Sequence, residues 1–230
     1  GIRDSSVTGV QTCARPILRR DWQAAPASGA AHPAEQLADD AVHVWWLGTA
    51  RREDDLSARC LVARYAGLPV EAMRWQLGEH GKPELPGTGL AFNLSHSGAT
   101  TLLALARNTV VGVDVEHPRR IARRRALLAR CFTPAERARI EAAPDPDAAL
   151  LRHWAAKEAV VKAIGRGIAY GLHNIELAPA DGDELVLARL EGPAGPHVRW
   201  RLAGVALGDG AYGALAWDGP VRRIECYRGD

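Results

Sequence analysis

Two carboxylates separated by one residue are the first candidate for chemistry in this chain. In the run Val113-Asp114-Val115-Glu116, valines and acids alternate. Alternate side chains of a β-strand point to the same side, so Asp114 and Glu116 would converge opposite the valines. Carboxylates this close repel each other unless a cation lies between them, and Mg²⁺ prefers such oxygen ligands. The pattern favours a magnesium site, although a solvated strand end would produce the same pattern.

A second candidate group lies on a predicted helix. Trp154, Glu158 and Lys162 are spaced four residues apart and therefore share one helical face. The alternative is a surface Glu–Lys pair without function, which would be worth only about 0.3 to 0.5 kcal/mol. The run Gly165-Arg166-Gly167 follows, where the backbone could approach a ligand or the helix could simply end in a glycine cap.

A third group is the polar run 92–98, which contains Ser95 and His96 and follows a predicted strand at 90–94. Both side chains could donate hydrogen bonds to phosphate oxygens. Alternatively, the polar side chains could satisfy a turn of their own. Lys82, in the rigid run Gly81-Lys82-Pro83, could contact a phosphate or be an ordinary solvated lysine.

Composition limits the class of protein. With 29 Lys and Arg against 27 Asp and Glu, the net charge is +2, which gives no global electrostatic case for nucleic acid. No apolar run approaches the roughly 20 residues of a membrane helix. The four cysteines are far apart and lack the spacing of a zinc site, so we expect reduced thiols in a cytoplasmic protein. They are Cys13, Cys60, Cys131 and Cys226.

The elements that would position these residues are of mixed type. Periodicity predicts strands at 42–47, 73–77, 90–94, 101–106 and 110–116 and a basic-edged helix at 56–65. Helices are predicted at 121–130, 134–142 and 148–164, and strands at 185–190, 197–202, 211–217 and 221–227. The fold class is therefore α+β, with an N-terminal lobe at 41–110 and a C-terminal lobe at 111–230. Residues 1–40 lack periodicity, and we expect a disordered or non-native extension there.

Five motifs, taken in order, resemble those of the Sfp-like 4′-phosphopantetheinyl transferases. They are GKP, FNLSHSG, VGVDVE, FTPAE and WAAKEAVVKAIGRG. The resemblance is detailed over 51–172, looser through the C-terminal strands, and does not reach 1–40. It implies two pseudo-twofold-related α+β lobes with the active site at their interface, in a chain that acts as a monomer.

The resemblance also implies roles for particular residues. The metal would be Mg²⁺, bound by Asp114, Glu116 and Glu158. The residues that would contact coenzyme A or its phosphates are Lys82, Ser95, His96, Lys157 and Lys162. Relatives usually have a longer basic stretch in the first lobe, and here Arg51 and Arg52 would have to supply the 3′-phosphate contacts.

The implied reaction transfers phosphopantetheine from coenzyme A to a serine of an acyl or peptidyl carrier protein and releases adenosine 3′,5′-bisphosphate. The base would be Glu158, Glu136 or a metal-positioned water, with Lys162 assisting electrostatically. Glu136 has a second interpretation, since Thr133, Pro134 and Glu136 fit a helix capping box. The arginines between 119 and 130 could dock an acidic carrier or be a solvated helix face. The alternatives are a carrier-binding relative without turnover and another magnesium-dependent phosphodiester enzyme.

Overall fold

The computed structural model describes residues 22–24, 32–48, 54–180, 184–192, 194, 199–208, 210–220 and 222–229. These residues form an α+β fold, as predicted. The α-helices are α1 Asp54–Ala66, α2 Arg124–Cys131, α3 Pro134–Ala142 and α4 Pro146–Ile164. The strands are β1 Gln23–Ala24, β2 Ala41–Trp46, β3 Gln76–Leu77, β4 Pro83–Glu84, β5 Leu90–Ser97, β6 Thr100–Arg107, β7 Val111–Glu116, β8 Ile175–Pro179, β9 Leu185–Leu190, β10 Trp200–Ala206, β11 Tyr212–Asp218 and β12 Arg223–Arg228.

The larger sheet combines strands that are far apart in the chain. Its strand order is β1-β12-β2-β6-β5. Strand β12 lies between β1 and β2 and runs parallel to both, so Tyr227 is paired with Gln23 on one side and with Trp45 on the other. A strand from the predicted C-terminal lobe is therefore part of the sheet that carries β2, β5 and β6.

The second sheet carries Asp114 and Glu116, hereafter the acid pair. Its order is β10-β11-β7, with antiparallel pairing throughout. Helix α4 packs directly on β7, at Gly112. A Cβ atom at Gly112 would lie 2.2 Å from the carbonyl oxygen of Ala159 and 2.3 Å from the nitrogen of Ala163. Only glycine allows this approach, which brings the last two turns of α4 beside the acid pair.

Two pieces of the segment that we expected to be without order are packed in the structure. One is β1, which pairs with β12, and the other is the stretch 32–37. Residues Pro33–Gln36 form a 3₁₀ helix, and Ala34 and Leu37 are buried. The ring of His32 stacks on Trp45 with 5.7 Å between centroids. Burial of apolar side chains and ring stacking hold this segment against the larger sheet.

Several predicted bounds are confirmed, and others shift. Helix α3 and strand β9 have the predicted limits. Helix α4 begins two residues earlier than predicted because Asp145 caps it, accepting hydrogen bonds from the nitrogens of Asp147 and Ala148 at 3.0 Å. The predicted strand at 73–77 is confined to Gln76–Leu77, and β8 was not predicted. None of the helices in the described part of the chain is long and apolar enough to span a bilayer.

The prediction of a polar turn directly after residue 94 is wrong. Strand β5 continues to Ser97 and pairs with β6 along its whole length; the turn comes at Gly98. The polar side chains at alternate positions of β5 make hydrogen bonds to β7, so they are compatible with a strand interior.

Candidate active site

Asp114 lies where β5, β7 and α4 meet. The residue is only 5% exposed. Oδ1 accepts hydrogen bonds from Ser95 Oγ at 2.8 Å and from Lys162 Nζ at 2.6 Å. Lys162 Nζ also donates to Ser95 Oγ at 2.9 Å. The structure therefore brings together three of the predicted site residues, one from each element.

The second oxygen of Asp114 has no hydrogen-bond partner among the described residues, although it is buried. A buried oxygen without a partner is unfavourable by about 1 to 3 kcal/mol. Burial raises the pKa of Asp114, and the neighbouring ammonium of Lys162 opposes this shift. The unpartnered oxygen fits a cation supplied from outside the chain.

The other two predicted metal ligands lie near Asp114. Burial raises the pKa of Glu158, and repulsion from Asp114 raises it further. The charge of Glu116 also raises the pKa of Asp114 and that of Glu158. Glu116 Oε2 lies 2.5 Å from Nη1 of Arg119. The three carboxylates thus form one negatively charged cluster, hereafter the acid cluster.

The acid cluster is compatible with a divalent cation in its chemistry. Carboxylate oxygens are the ligands that Mg²⁺ prefers, and one Asp114 oxygen has no hydrogen-bond partner in the described part of the chain. Among the described residues, no three acidic, histidine or cysteine side chains are already arranged around one metal position. In this conformation Lys162 and Arg119 neutralise part of the negative charge.

Lys82 fastens β7 to the end of α4. Its ammonium donates to the carbonyl oxygen of Val111 at 2.9 Å and to that of Ala163 at 3.3 Å. Burial lowers its pKa to about 8. A groove of about 380 Å³ lies beside Lys82 and is lined by the loop that follows it, by the start of β5 and by Asn108–Val110. Lys82 therefore lines a groove, while two of its three ammonium protons are donated to backbone carbonyl oxygens.

His96 is not part of the acid cluster. It is exposed and, by strand alternation, lies on the face of β5 opposite Ser95. That face carries Phe92 and Leu94, which pack with Val62 of α1. Arg51 and Arg52, the predicted 3′-phosphate contacts, lie outside the described residues.

Lys157 and Glu136 form a buried ion pair of their own. Both side chains are 0% exposed, and the ammonium lies 2.7 Å from Glu136 Oε2. Lys157 also donates to the carbonyl oxygens of Cys131 and Leu172, each at 3.0 Å. Its three protons are therefore all used inside the protein.

Glu136 is likewise satisfied. Its Oε2 accepts from the nitrogen of Thr133 at 2.8 Å, which completes the capping box, and Oε1 accepts from the nitrogen of Leu177 at 2.9 Å. The capping-box interpretation of Glu136 is confirmed. The structure does not place Lys157 or Glu136 where either could contact a ligand.

The predicted basic surface begins at the acid cluster. Five arginines of this segment are exposed: Arg119, Arg120, Arg123, Arg125 and Arg130. Arg124 instead pairs with Asp147 at 2.7 Å. Because Arg119 also contacts Glu116, the basic surface and the acid cluster are adjacent.

Another cavity, of about 240 Å³, lies between α4 and strands β10 and β11. Arg152 and Ala156 of α4 line it, together with small residues such as Gly204 and Gly213. The carboxylates of the acid cluster do not line this cavity. The candidate active site is therefore the junction of β5, β7 and α4.

Sequence reasoning missed the importance of Asn93. Its side-chain oxygen accepts a hydrogen bond from the nitrogen of Val113 at 2.8 Å, one residue before Asp114. The signal was the alternation of Asn93, Ser95 and Ser97 at a period of two, which is typical of one face of a strand.

Comparisons with known proteins agree with this geometry. Residues 110–212 match the model of a family described as the 4′-phosphopantetheinyl transferase superfamily. The chain is 34% identical to the 4′-phosphopantetheinyl transferase HetI of Nostoc sp. over 126 residues, which cover 52% of this chain and 53% of HetI. It is 40% identical to the 4′-phosphopantetheinyl transferase AcpT of Salmonella typhi over 129 residues, which cover 55% of this chain and 65% of AcpT.

A longer match, at 29% identity over 173 residues, covers 70% of this chain and 69% of a putative 4′-phosphopantetheinyl transferase of Synechocystis sp.. The chain thus spans about half to two thirds of the length of the curated relatives that it matches. The family match contains Asp114, Glu116, Glu158 and Lys162. On this evidence the chain is similar to the 4′-phosphopantetheinyl transferase superfamily, and the family match covers residues 110–212.

Proposed function

We propose that this chain transfers the 4′-phosphopantetheine group of coenzyme A to a serine of an acyl or peptidyl carrier protein. The observation that carries the proposal is the contact of Ser95, Asp114 and Lys162, in a buried site where one Asp114 oxygen has no partner from any described residue. Phosphoryl transfer requires mainly positioning and charge stabilisation, and this site combines both.

Asp114, Glu116 and Glu158 are the residues that would hold Mg²⁺. The ion would neutralise charge on the pyrophosphate oxygens of coenzyme A. Lys162 is in direct contact with the acid cluster, at 2.6 Å from Asp114. Its ammonium is only partly buried, with 28% of the side chain exposed, so it can turn from Asp114 towards a phosphate oxygen.

The groove beside Lys82 supports binding of the nucleotide part of coenzyme A. The groove is lined by Leu90 and Phe92 of β5, which lie on the same face of the strand as the exposed His96. In this proposal the exposed imidazole of His96 contacts a phosphate from that face, while Ser95 acts at the acid cluster. Lys157 and Glu136 have structural roles, because their polar atoms are already bonded inside the protein.

Glu158 is the side chain of the acid cluster best placed to accept the proton of the carrier serine. It is only half-buried, whereas Asp114 is buried and bonded to Ser95 and Lys162. The serine oxygen would form a bond to the β-phosphorus, and the bond from that phosphorus to the oxygen of the departing adenosine 3′,5′-bisphosphate would break. The serine proton would pass to Glu158.

The carrier protein would dock on the arginines next to the acid cluster. Carrier proteins of the acyl and peptidyl types are acidic, and five exposed arginines at 119–130 provide a complementary charge. Because Arg119 contacts Glu116, a carrier held by this surface would present its serine close to the acid cluster.

The test is the intact mass of an apo carrier protein after incubation with this protein, coenzyme A and Mg²⁺. Transfer of one phosphopantetheine adds about 340 Da to the carrier. We expect this gain with Mg²⁺ and no gain with a chelator. Binding of the carrier without any gain in mass, across acyl and peptidyl carriers, would instead identify a carrier-binding relative without turnover.

A further inference from the structure

Strands β5 and β7 lie side by side although they belong to different sheets. Strand β5 is the last strand of the five-stranded sheet, and β7 is the last strand of the three-stranded sheet. The two strands are in contact, yet they are not paired through a backbone ladder. Side chains make the polar connections between them.

Two of these connections flank the acid pair. Asn93 Oδ1 accepts from the backbone nitrogen of Val113 at 2.8 Å, and Ser97 Oγ accepts from that of His117 at 3.3 Å. Both donors lie 20 residues after their acceptors, so the two strands run in the same direction in a single register. One connection precedes Asp114, and the other follows Glu116.

The connection at His117 is reinforced by the turn between β5 and β6. The His117 Nε2 atom lies 3.0 Å from Thr100 Oγ1. Gly98 has a φ of +56°, and a Cβ atom there would lie 3.2 Å from the His117 ring. The turn therefore packs against His117, the residue directly after Glu116.

The hydrogen bond between Asn93 and Val113, on the other side of the acid pair, lies in a buried environment. Asn93 is 8% exposed, and the strand residue that it binds, Val113, is fully buried. Removal of the amide oxygen would leave the nitrogen of Val113 without this partner, which is costly in a buried site. A shift of β7 along β5 would also break the contact between Ser95 and Asp114.

We infer that Asn93 and Ser97 are positioning residues, which hold Asp114 and Glu116 in the arrangement that binds the divalent cation. This inference rests on the proposed function, since that function requires the cation. Neither residue is expected to touch the substrate. Their effect is to fix the backbone on both sides of the acid pair, which a ladder of strand hydrogen bonds would otherwise do.

The test measures Mn²⁺ binding by electron paramagnetic resonance in the whole protein and in four variants. We expect Asn93→Ala to weaken binding about tenfold and Ser97→Ala to weaken it several-fold, because each frees one end of the acid pair. Ser97→Thr keeps the hydroxyl and should restore wild-type binding. The control, Thr88→Ala, removes a hydrogen bond of 2.7 Å to the carbonyl of Leu85 and one of 3.2 Å from the nitrogen of Leu90, neither of which involves β7, and should bind Mn²⁺ as the wild type does.

Amide hydrogen exchange at Val113 is measured on the same samples. Wild-type Mn²⁺ affinity in Asn93→Ala would overturn the inference. If the wild type itself bound no Mn²⁺, the proposed metal-dependent function would fail, and exchange at Val113 would decide the positioning role alone. Faster exchange in Asn93→Ala than in Thr88→Ala would then support it, and equal exchange would overturn it.

Discussion

Lys162 and Asp114 are joined by a 2.6 Å ion pair across the junction of α4 and β7, and Ser95 bonds to both of them. The pair sits beside an Asp114 oxygen that has no partner among the described residues. Lys162 thus balances the charge of Asp114 in this conformation.

Replacement of Lys162 by Met should impair transfer more than it impairs folding. The loss of a charged donor to a transition-state phosphate commonly lowers kcat by about a hundredfold. Because Met leaves Asp114 without its cation, Mg²⁺ should raise the melting temperature more in Lys162→Met than in the wild type. Carrier modification and thermal denaturation, each with and without Mg²⁺, measure both effects. Equal stabilisation of the two proteins by Mg²⁺ would contradict this account of Lys162.

A methyl group at Gly112 should separate α4 from β7. The added Cβ atom would lie 2.2 Å from the carbonyl oxygen of Ala159, which is backbone and cannot turn away. We expect Gly112→Ala to lower the free energy of unfolding by about 3 kcal/mol or more. Gly204→Ala is the matched control, since no atom of the residues that the structure describes lies within 4 Å of a Cβ atom there. Urea denaturation that gave both variants the same stability would refute the close approach of α4.

Glu136→Gln should reduce stability without removing the chemistry. The substitution leaves the fully buried ammonium of Lys157 without its carboxylate, and breaking a buried pair in this way costs about 3 to 5 kcal/mol. The kcat of the folded fraction should be close to that of the wild type because Glu136 contacts no ligand in our account. A stable Glu136→Gln protein with severely reduced kcat would assign Glu136 a catalytic role instead.

His43 should make the stability of the protein depend on pH. Burial lowers its pKa to about 4, against an ordinary value of 6.5, with Glu225 acting weakly in the opposite direction. The folded state therefore prefers the neutral ring, so the free energy of unfolding should fall as pH decreases from 6.5 to 4. The loss should approach about 3 kcal/mol below pH 4.

Chemical denaturation between pH 7 and pH 4 measures this loss. In His43→Gln the part of the slope between pH 6.5 and pH 4 that comes from His43 should disappear, whereas in a His173→Gln control it should remain, because His173 is exposed. An unchanged slope in His43→Gln would show that other groups produce the pH dependence.

The local features of the fold could be read from the sequence. Helix α3 follows from Thr133, Pro134 and Glu136, which satisfy the helix start within four residues. The convergence of Asp114 and Glu116 follows from strand alternation alone. Signals of this kind depend only on near neighbours in the chain.

The parts that the sequence did not predict depend on distant partners. The polar side chains of β5 predicted a turn after residue 94. They instead bind to β7, which lies 20 residues further on, and β5 continues as a strand. The family resemblance implied that Lys157 contacts a phosphate, but its partners are Glu136 and two carbonyl oxygens brought near by tertiary packing. Pairing of β12 with β2 brings together two segments that are far apart in the chain, which periodicity alone cannot reveal.

The central claim is that the acid cluster carries phosphopantetheine transfer. Its most direct test is the intact mass of an apo carrier protein treated with coenzyme A, Mg²⁺ and either the wild type, Asp114→Asn or Glu79→Gln, an exposed control with 86% of its side chain accessible. We predict a gain of about 340 Da with the wild type and with Glu79→Gln, and none with a folded Asp114→Asn protein. An equal gain with Asp114→Asn would contradict the account.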